Sequence, residues 1–313
     1  MQDVFIGVDV SKADLVIAHH QGRPISIPNN ASSIATWLSS VACGALIAME
    51  STGQYHLLLA QMTITAGFSV FVLNARDVSF YAKALGSRAK SDEADCVVIM
   101  RYVQEHHQHL HPWVPATPTQ QQLHDLLGQR TQVVEHNTAL RQCLKSPNLK
   151  HEVDALQQSF KHLLRCIDAQ IEQLIASDSS MNEGSQRLKT ITGVGLQASA
   201  MLTELLSRIP FANADALVAY CGLDPRANDS GAKRGRRKLS KRGPARLRRQ
   251  VYLMGFAASH SKALGPLYKA IRAKGFSSTE ALVILGRKLL RVAFAVWKTK
   301  TVFDPARLMP QSA

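Results

Sequence analysis

Two acidic residues stand where an apolar strand would normally exclude them. Asp9 interrupts the β-branched run 4–10, and Glu50 ends a second apolar run, 45–50, just before Ser-Thr-Gly53. A carboxylate in such a run costs free energy unless it is paired, hydrogen-bonded or bound to a metal ion. Asp9 and Glu50 are therefore the first candidates for a chemical site.

Asp92 and Asp95 add a second pair of carboxylates. They lie three residues apart near the start of a predicted helix, so both point to one side of it. Each alone has an ordinary explanation, as an acid favoured by the helix dipole or as a solvated surface residue. Together the four acids supply oxygen ligands of the kind that Mg²⁺ prefers, and two such ions can clamp an in-line phosphoryl displacement. The group predicts a two-metal nucleotidyl-transfer site, with two Mg²⁺ ions or Mn²⁺ in their place.

Positive charge is concentrated late in the chain. The 313 residues carry a formal charge of +14, of which residues 226–300 contribute +18 and the remainder −4. Such a block predicts nucleic-acid binding, because Lys and Arg release condensed counterions from phosphates. The predicted phosphate-contacting residues are Lys233, Arg234, Arg236, Arg237, Lys238, Lys241, Arg242, Arg246, Arg248 and Arg249.

A serine lies inside this cationic block. Ser230 and Gly231 belong to a glycine-rich segment that predicts an exposed loop able to approach a sugar-phosphate backbone. A Ser-Gly pair is ordinarily a turn, but a metal ion or a cationic cluster could activate the hydroxyl. The residues alone leave four rival nucleophiles, Ser240, Tyr220, Tyr252 and Tyr268.

Composition excludes several classes of protein. A chain with 46% hydrophobic and 19% charged residues has enough apolar surface to build cores, so its bulk is not disordered. The five cysteines are scattered without a CxxC pair, which disfavours structural zinc and a disulfide framework and indicates a reducing compartment. The sequence contains no apolar run of about 18 residues and no signal peptide. We therefore expect a cytoplasmic protein, associated with the nucleoid when active, and no membrane partner.

The elements that must position these residues fall into three parts. Three short strands, followed by strand–helix–strand units, predict a mixed sheet with helices on its faces, in the order seen in ribonuclease-H-like folds. Residues 119–176 predict a hairpin of two long helices, broken at 146–148, with a heptad-like seam that suits either a dimer or an internal packing face. A loop is predicted at 177–184. Helices with short connections follow over 186–300, beginning with an element that resembles a helix-hairpin-helix or is simply a tight turn between packed helices.

Clustered histidines and two tryptophans have mainly structural interpretations. His106, His107, His109 and His111 occur at a predicted helix end, where imidazoles favourably contact the last carbonyls, so we favour capping over metal binding. Trp113 and Trp297 are expected in cores.

An ordered set of short motifs runs along the chain. The motifs are Gly7-Val-Asp9-Val-Ser-Lys12, Glu50-Ser-Thr-Gly53, Lys90-Ser-Asp92-Glu-Ala-Asp95, Thr192-Gly-Val-Gly195 and Gly222-Leu-Asp-Pro225…Ser230-Gly231…Lys241-Arg-Gly243…Leu247-Arg248. Taken together, they resemble the DEDD-type insertion-sequence transposases and the related Piv-like DNA invertases. Each motif is weak alone, but their order and spacing over nearly the whole chain are specific. Two positions depart from the family pattern, Cys96 in place of alanine and Pro244 in place of asparagine.

The resemblance implies both an architecture and a mechanism. The architecture is a RuvC-like, ribonuclease-H-like α/β domain (1–112), a helical hairpin or coiled-coil linker (113–184) and an all-α transposase domain (185–313). The acidic tetrad of the family maps onto Asp9, Glu50, Asp92 and Asp95, and its nucleophilic serine, which forms a covalent link to DNA, maps onto Ser230. Implied partners are donor and target DNA and a structured guide (bridge) RNA. Strand exchange needs more than one cut, so we also expect a homodimer or tetramer.

Three alternatives remain open at this point. The chain could be a site-specific invertase of the same chemistry, or a two-metal Holliday-junction-type endonuclease that uses water as the nucleophile. A noncatalytic DNA- or RNA-binding protein with structural acids is the third.

Overall fold

The structure is a computed structural model that describes residues 4–19, 22–86, 91–226, 235 and 237–308. The chain folds into two units, Met1–Pro115 (unit 1) and Ala116–Ala313 (unit 2). The further separation of unit 2 into a linker and a transposase domain stays a prediction.

Unit 1 contains the predicted mixed sheet. Its strands are β1 (Phe5–Val10), β2 (Asp14–His19), β3 (Ile25–Pro28), β4 (Leu46–Glu50) and β5 (Ser69–Leu73), in the order β3-β2-β1-β4-β5. The first three strands pair antiparallel, whereas β4 runs parallel to both β1 and β5. The expectation of an α/β unit is confirmed.

Helices cover both faces of this sheet. They are α1 (Ala31–Ser39), α2 (His56–Thr65), α3 (Ala75–Ala84) and α4 (Asp92–His106). Ile34 of α1 and Leu59 of α2 pack with Val8 in one buried cluster. On the other face, Val78 of α3 and Ile99 of α4 form a second buried cluster with strand residues. Trp113 packs against the first cluster, in keeping with its predicted core position.

Unit 2 is almost entirely helical, as predicted. Its helices are α5 (Pro118–Cys143), α6 (Lys150–Ala176), α7 (Ser179–Lys189), α8 (Leu196–Arg208), α9 (Ala214–Tyr220), α10 (Ala245–Ser259), α11 (Gly265–Ala273) and α12 (Ser278–Thr299). A capping box at Thr117 and Gln120 starts α5. The predicted break at 146–148 separates α5 from α6, and their hairpin is confirmed. Buried side chains from α7 to α12 form one large core.

The loop predicted at 177–184 is wrong, because α7 occupies most of that segment. The Asp178 carboxylate accepts the Met181 N–H and caps the helix N-terminus. Gly184 provides room rather than flexibility, since a Cβ there would overlap the ring of Trp297. The small, polar residues of this segment therefore serve tight packing, and the predicted domain boundary at 184 falls inside a helix.

The turn between α7 and α8 has a packing explanation. Gly193 adopts a φ of +94°, and a Cβ on it would lie 2.6 Å from the carbonyl oxygen of Met254 on α10. The turn is thus pressed against a neighbouring helix, which is what a tight turn between packed helices requires.

No helix in the described ranges is long and apolar enough to cross a membrane. Cys43, Cys96, Cys143, Cys166 and Cys221 are all free thiols.

Candidate active site

Register brings the first two predicted acids side by side. Strands β1 and β4 are parallel neighbours, and the pairs Gly7↔Ala48 and Val8↔Met49 are aligned. Asp9 and Glu50 follow directly after the second pair, at the same end of both strands. Paired residues of neighbouring strands point to the same face of a sheet. The half-buried side chains of Asp9 and Glu50 therefore project from neighbouring backbone positions on one face.

The face that carries these acids is the one covered by α4. Side chains alternate along a strand, so Asp9 shares the face of Phe5 and Gly7, and Glu50 shares the face of Ala48. Phe5 and Ala48 belong to the buried cluster formed with α4. A Cβ at Gly7 would overlap the carbonyl of Cys96 and the backbone of Met100, so α4 lies directly on β1.

The first turn of α4 holds the other two predicted acids, Asp92 and Asp95. The Ser91 hydroxyl accepts the Ala94 N–H at 3.3 Å and caps this helix. Burial raises the pKa of the Cys96 thiol to about 11, and the Asp9 carboxylate adds to the shift. Asp9 is therefore within electrostatic range of the turn that carries Asp92 and Asp95.

The donor set suits a hard divalent cation. All four side chains offer carboxylate oxygens, the ligands that Mg²⁺ and Mn²⁺ prefer. Within the described part of the chain, no three His, Cys, Asp or Glu side chains lie close enough together to hold one ion. Mg²⁺ commonly takes only one or two protein carboxylates and fills its remaining positions with water and substrate phosphate. The adjacent acids of β1 and β4 meet that requirement.

A short two-stranded ribbon in unit 2 flanks the segment that contains the predicted nucleophile. Strands β6 (Pro225–Arg226) and β7 (Lys238–Leu239) pair antiparallel, a feature that the glycine-rich sequence did not predict. Below the ribbon, the Ser240 hydroxyl donates to the Asp224 carboxylate, and the Ser240 N–H donates to the Asp224 carbonyl at 2.9 Å. Arg226 and Lys238, which flank residues 227–237, are thereby held next to each other. Ser230 itself lies outside the described residues.

Three of the rival nucleophiles already have protein partners, Tyr220 through a side-chain hydrogen bond with Arg208. Ser240 is only 6% exposed and is bonded to Asp224, so its hydroxyl is inaccessible to a DNA phosphate. The Tyr268 hydroxyl is hydrogen-bonded to Ser278 Oγ at 2.9 Å. Tyr220 is exposed, and Tyr252 is partly exposed.

The predicted phosphate-contacting residues separate into two groups. Of those described, Arg237, Lys238, Lys241, Arg242 and Arg249 are exposed. Arg246 and Arg248 are only partly exposed and have partners inside unit 2: Arg246 Nη2 lies 3.2 Å from Nε2 of His124, and Arg248 donates to the Gly243 carbonyl. Lys233, Arg234 and Arg236 lie outside the described residues.

A buried charge network in unit 2 was not visible in the sequence. Glu204 on α8 is 1% exposed and accepts hydrogen bonds from His124 Nδ1 at 3.1 Å and Arg208 Nε at 2.8 Å. Burial would raise the pKa of Glu204, but the bonds from His124 and Arg208 outweigh it and hold the pKa below its usual value. Because His124 and Glu204 are 80 residues apart, no local pattern could have paired them.

Asn29 is a second contact that the sequence did not reveal. Its side-chain amide donates to the Ser11 carbonyl at 2.9 Å and to the Tyr55 carbonyl at 3.2 Å. Ser11 follows Asp9 by two residues and Tyr55 follows Glu50 by five, so one side chain ties together the loops after β1 and β4.

The histidine cluster serves the end of α4. His106 Nδ1 lies 3.0 Å from the Tyr102 carbonyl oxygen, and its ring stacks on Tyr102 with centroids 4.6 Å apart. His107 Nδ1 lies 3.3 Å from the Gln104 carbonyl oxygen. These contacts agree with the capping interpretation.

Comparison with known proteins adds independent findings. A DEDD-type family model described as "Transposase" matches residues 6–151, and a model of the transposase IS116/IS110/IS902 family matches residues 185–269. Pilin gene-inverting proteins of Moraxella bovis and Moraxella lacunata are each 27% identical over 97% of this chain and 98% of their own length. An uncharacterized 43.6 kDa protein of insertion element IS110 from Streptomyces coelicolor is 28% identical over 58% of this chain and 42% of its own length.

These findings define the class first. Both parts of the chain match transposase models, and the similarity to a DNA-inverting protein runs from end to end, so the protein is an enzyme of the DNA transposase and recombinase class. Within that class, the chain belongs to the IS110-type, DEDD family of insertion-sequence transposases.

Proposed function

We propose that the protein cuts and rejoins DNA through a covalent serine–phosphate intermediate. Asp9, Glu50, Asp92 and Asp95 would hold Mg²⁺, and Ser230 would attack the scissile phosphate. The observation that supports this most directly is the alignment of Asp9 and Glu50 on the face covered by α4. When bound, Mg²⁺ would neutralise charge that develops on the phosphoryl oxygens.

The first chemical step exchanges one ester for another. The bond between Ser230 Oγ and phosphorus forms, the bridging P–O bond of the DNA breaks, the serine proton leaves to solvent and the departing DNA oxygen becomes a hydroxyl. The phosphodiester energy is retained in the serine ester. A hydroxyl of a second strand can then attack that phosphorus, which restores a DNA phosphodiester and frees Ser230.

The remaining parts of the proposal concern architecture and partners. The strand order of unit 1, with three antiparallel strands followed by two parallel ones, supports assignment to the ribonuclease-H-like (RuvC-like) folds. Exposed leucines along the α5–α6 hairpin, Leu140, Leu156 and Leu163, support a dimer or tetramer. Family membership supports a structured guide RNA that pairs with donor and target DNA.

Trapping the intermediate tests the central step. Wild-type protein, incubated with Mg²⁺ and DNA carrying both element ends, should form an adduct that survives denaturation, with the phosphoryl group located on Ser230 by mass spectrometry. Ser230→Ala should form none, whereas Tyr268→Phe should form it normally. If Ser230→Ala still cuts the DNA and forms no adduct, water is the nucleophile and the endonuclease alternative holds; an adduct on another residue would assign the role to that residue.

Site-specific inversion is a second candidate for the biological outcome. It is supported by the end-to-end similarity to pilin gene-inverting proteins. A plasmid carrying two sites in inverted orientation distinguishes the outcomes: an invertase flips the intervening segment, and a transposase moves the element to a new location. If recombination in cells survived the combined change of Asp9→Asn and Asp92→Asn, both candidates would be wrong and a noncatalytic binding role would remain.

A further inference from the structure

Arg287, in the middle of α12, is an arginine with an incompletely satisfied guanidinium. The residue is partly buried, and its buried Nε has no hydrogen-bond partner within the described chain. A buried donor without a partner costs free energy, and more so when the group is charged. An arginine that served only the fold would be expected to find a carboxylate or a carbonyl.

The surroundings of Arg287 leave positive charge in excess. Arg291 lies one helical turn further on the same face of α12. Asp215 already forms an ion pair with Arg291, whose Nη2 lies 2.6 Å from its Oδ1. Asp224 accepts the hydroxyl of Ser240. Burial and then the charge of Arg291 lower the pKa of Arg287, against the smaller opposing effects of Asp215 and Asp224.

The position of Arg287 connects it with the predicted cleavage segment. Helix α12 packs against α9, and the chain leaving α9 passes Gly222 and reaches Asp224 immediately before β6. Asp224 acts on Arg287 electrostatically, so the guanidinium lies within electrostatic range of the base of the ribbon. Residues 227–237 connect the two strands of the β6–β7 ribbon.

We propose that Arg287, assisted by Arg291, binds a backbone phosphate of DNA beside the β6–β7 ribbon. The planar guanidinium matches two phosphate oxygens, and charge-assisted bonds of this kind are strong where water is partly excluded. Anion binding at Arg287 does not depend on the proposed function. The identification of this anion as a phosphate of the DNA being cut rests on the proposed function.

A matched pair of variants separates this role from a structural one. Arg287→Gln removes the partly buried cation, and Lys288→Gln removes an exposed cation from the adjacent position of the same helix. If Arg287 stabilised the fold, its removal would lower the melting temperature well below that of Lys288→Gln. Our proposal expects Arg287→Gln to melt within about two degrees of wild type or above it, because a charge that repels Arg291 is gone.

Ligand binding is measured on the full chain with two probes. Inorganic phosphate should raise the melting temperature of wild type and Lys288→Gln alike, and that of Arg287→Gln by less than half as much. Duplex DNA should bind Arg287→Gln about tenfold more weakly, with the slope of log affinity against log salt reduced by about one. Lys288→Gln should lose less than threefold. Equal DNA affinities and salt slopes for the two variants would overturn the proposal, as would selective destabilisation by Arg287→Gln.

Failure of the Arg287 phosphate site can be distinguished from failure of the proposed serine mechanism. If phosphate and DNA binding depend on Arg287 while Ser230→Ala still cuts, the phosphate site stands and the serine mechanism fails. If a Ser230 adduct forms but Arg287→Gln behaves like Lys288→Gln, the mechanism stands and the phosphate site fails. An RNA duplex in place of DNA checks the source of the phosphate, and a loss of affinity confined to RNA would contradict our choice of DNA.

Discussion

The two units bury charge in opposite ways. In unit 1, Asp9 and Glu50 sit at adjacent strand ends, and the helix turn that carries Asp92 and Asp95 covers the same face. In unit 2, Glu204 is 1% exposed, but His124 and Arg208 bond directly to its carboxylate. The Glu204 carboxylate is bonded to two cationic side chains and supports the fold, whereas we propose that the acids of unit 1 serve to hold Mg²⁺. Removal of an acid should therefore affect activity in unit 1 and stability in unit 2.

The largest effect is expected for Asp9→Asn, which should lower the rate of DNA strand cleavage about 1000-fold, equivalent to about 4 kcal/mol in activation free energy. Its melting temperature should change by only a few degrees, because asparagine keeps the shape of aspartate and one of its two side-chain oxygens. Asp14→Asn, an exposed acid on the neighbouring strand β2, is the control and should retain activity. A parallel loss of stability and activity in Asp9→Asn would assign this acid to the fold.

Glu204→Gln should show the reverse pattern. Replacing the buried carboxylate weakens its bonds to His124 and Arg208 and should cost about 3 kcal/mol in the free energy of unfolding. Urea denaturation measures the loss. Glu183→Gln breaks an exposed ion pair with Arg187 and should cost less than about 0.5 kcal/mol. Similar values for the two variants would mean that burial does not strengthen the Glu204 network.

The same network predicts a pH dependence. The pKa of Glu204 is held below its usual value in the folded protein, so the carboxylate contributes stability above its unfolded pKa of about 4.3. That contribution is lost as the pH falls through the folded pKa. The stability difference between wild type and Glu204→Gln should thus be complete at pH 7 and shrink below about pH 4. A difference that stayed constant down to pH 3 would contradict the assignment.

Gly7→Ala tests how α4 is held over the acids of unit 1. Because a Cβ would overlap the backbone of α4, the helix must shift, at a cost of about 2 kcal/mol. The shift should also move Asp92 and Asp95 relative to Asp9 and lower activity beyond what the stability loss explains. Gly128→Ala on α5 meets only an ordinary 3.6 Å contact and should be neutral or slightly stabilising. Full activity of Gly7→Ala under conditions where it is folded would argue against this geometry.

The smallest effect is expected for Asn29→Ala, about 1 kcal/mol of stability, since two hydrogen bonds between loops are lost. Asn30→Ala removes the cap of α1 and should cost a similar amount. Only Asn29→Ala should raise the Mg²⁺ concentration needed for half-maximal cleavage, because it alone loosens the loops behind Asp9 and Glu50. Identical Mg²⁺ requirements in the two variants would limit Asn29 to a structural role.

Most of unit 1 could be predicted from sequence because its signals are local. Apolar runs separated by turn residues mark the strands, and Asp9 and Glu50 stand out against the apolar residues before them. Which acids share a face also depends on register, and the register follows from pairing between residues about 40 positions apart.

Unit 2 shows where sequence reasoning fails. The Glu204 network joins helices far apart in the chain, and the β6–β7 ribbon has only two pairs, too few to produce an alternating pattern. The α7 segment resembles a loop in sequence because its small and polar residues suit turns as well as capping and close packing. In each case the residue's role depends on a partner that is distant from it in the sequence.

The contact between Gly184 and Trp297 has a consequence for how the protein is made. It joins α7, early in unit 2, to α12, the last long helix, and the Phe303 N–H adds a bond to Thr190 Oγ1 at 2.9 Å. The core of the unit includes side chains from all the helices between. A ribosome adds about 5–20 residues per second and delivers α12 only after α7 to α11. Unit 2 therefore completes its core only after α12 has been made, so a truncated product lacking that helix would be left without part of the core.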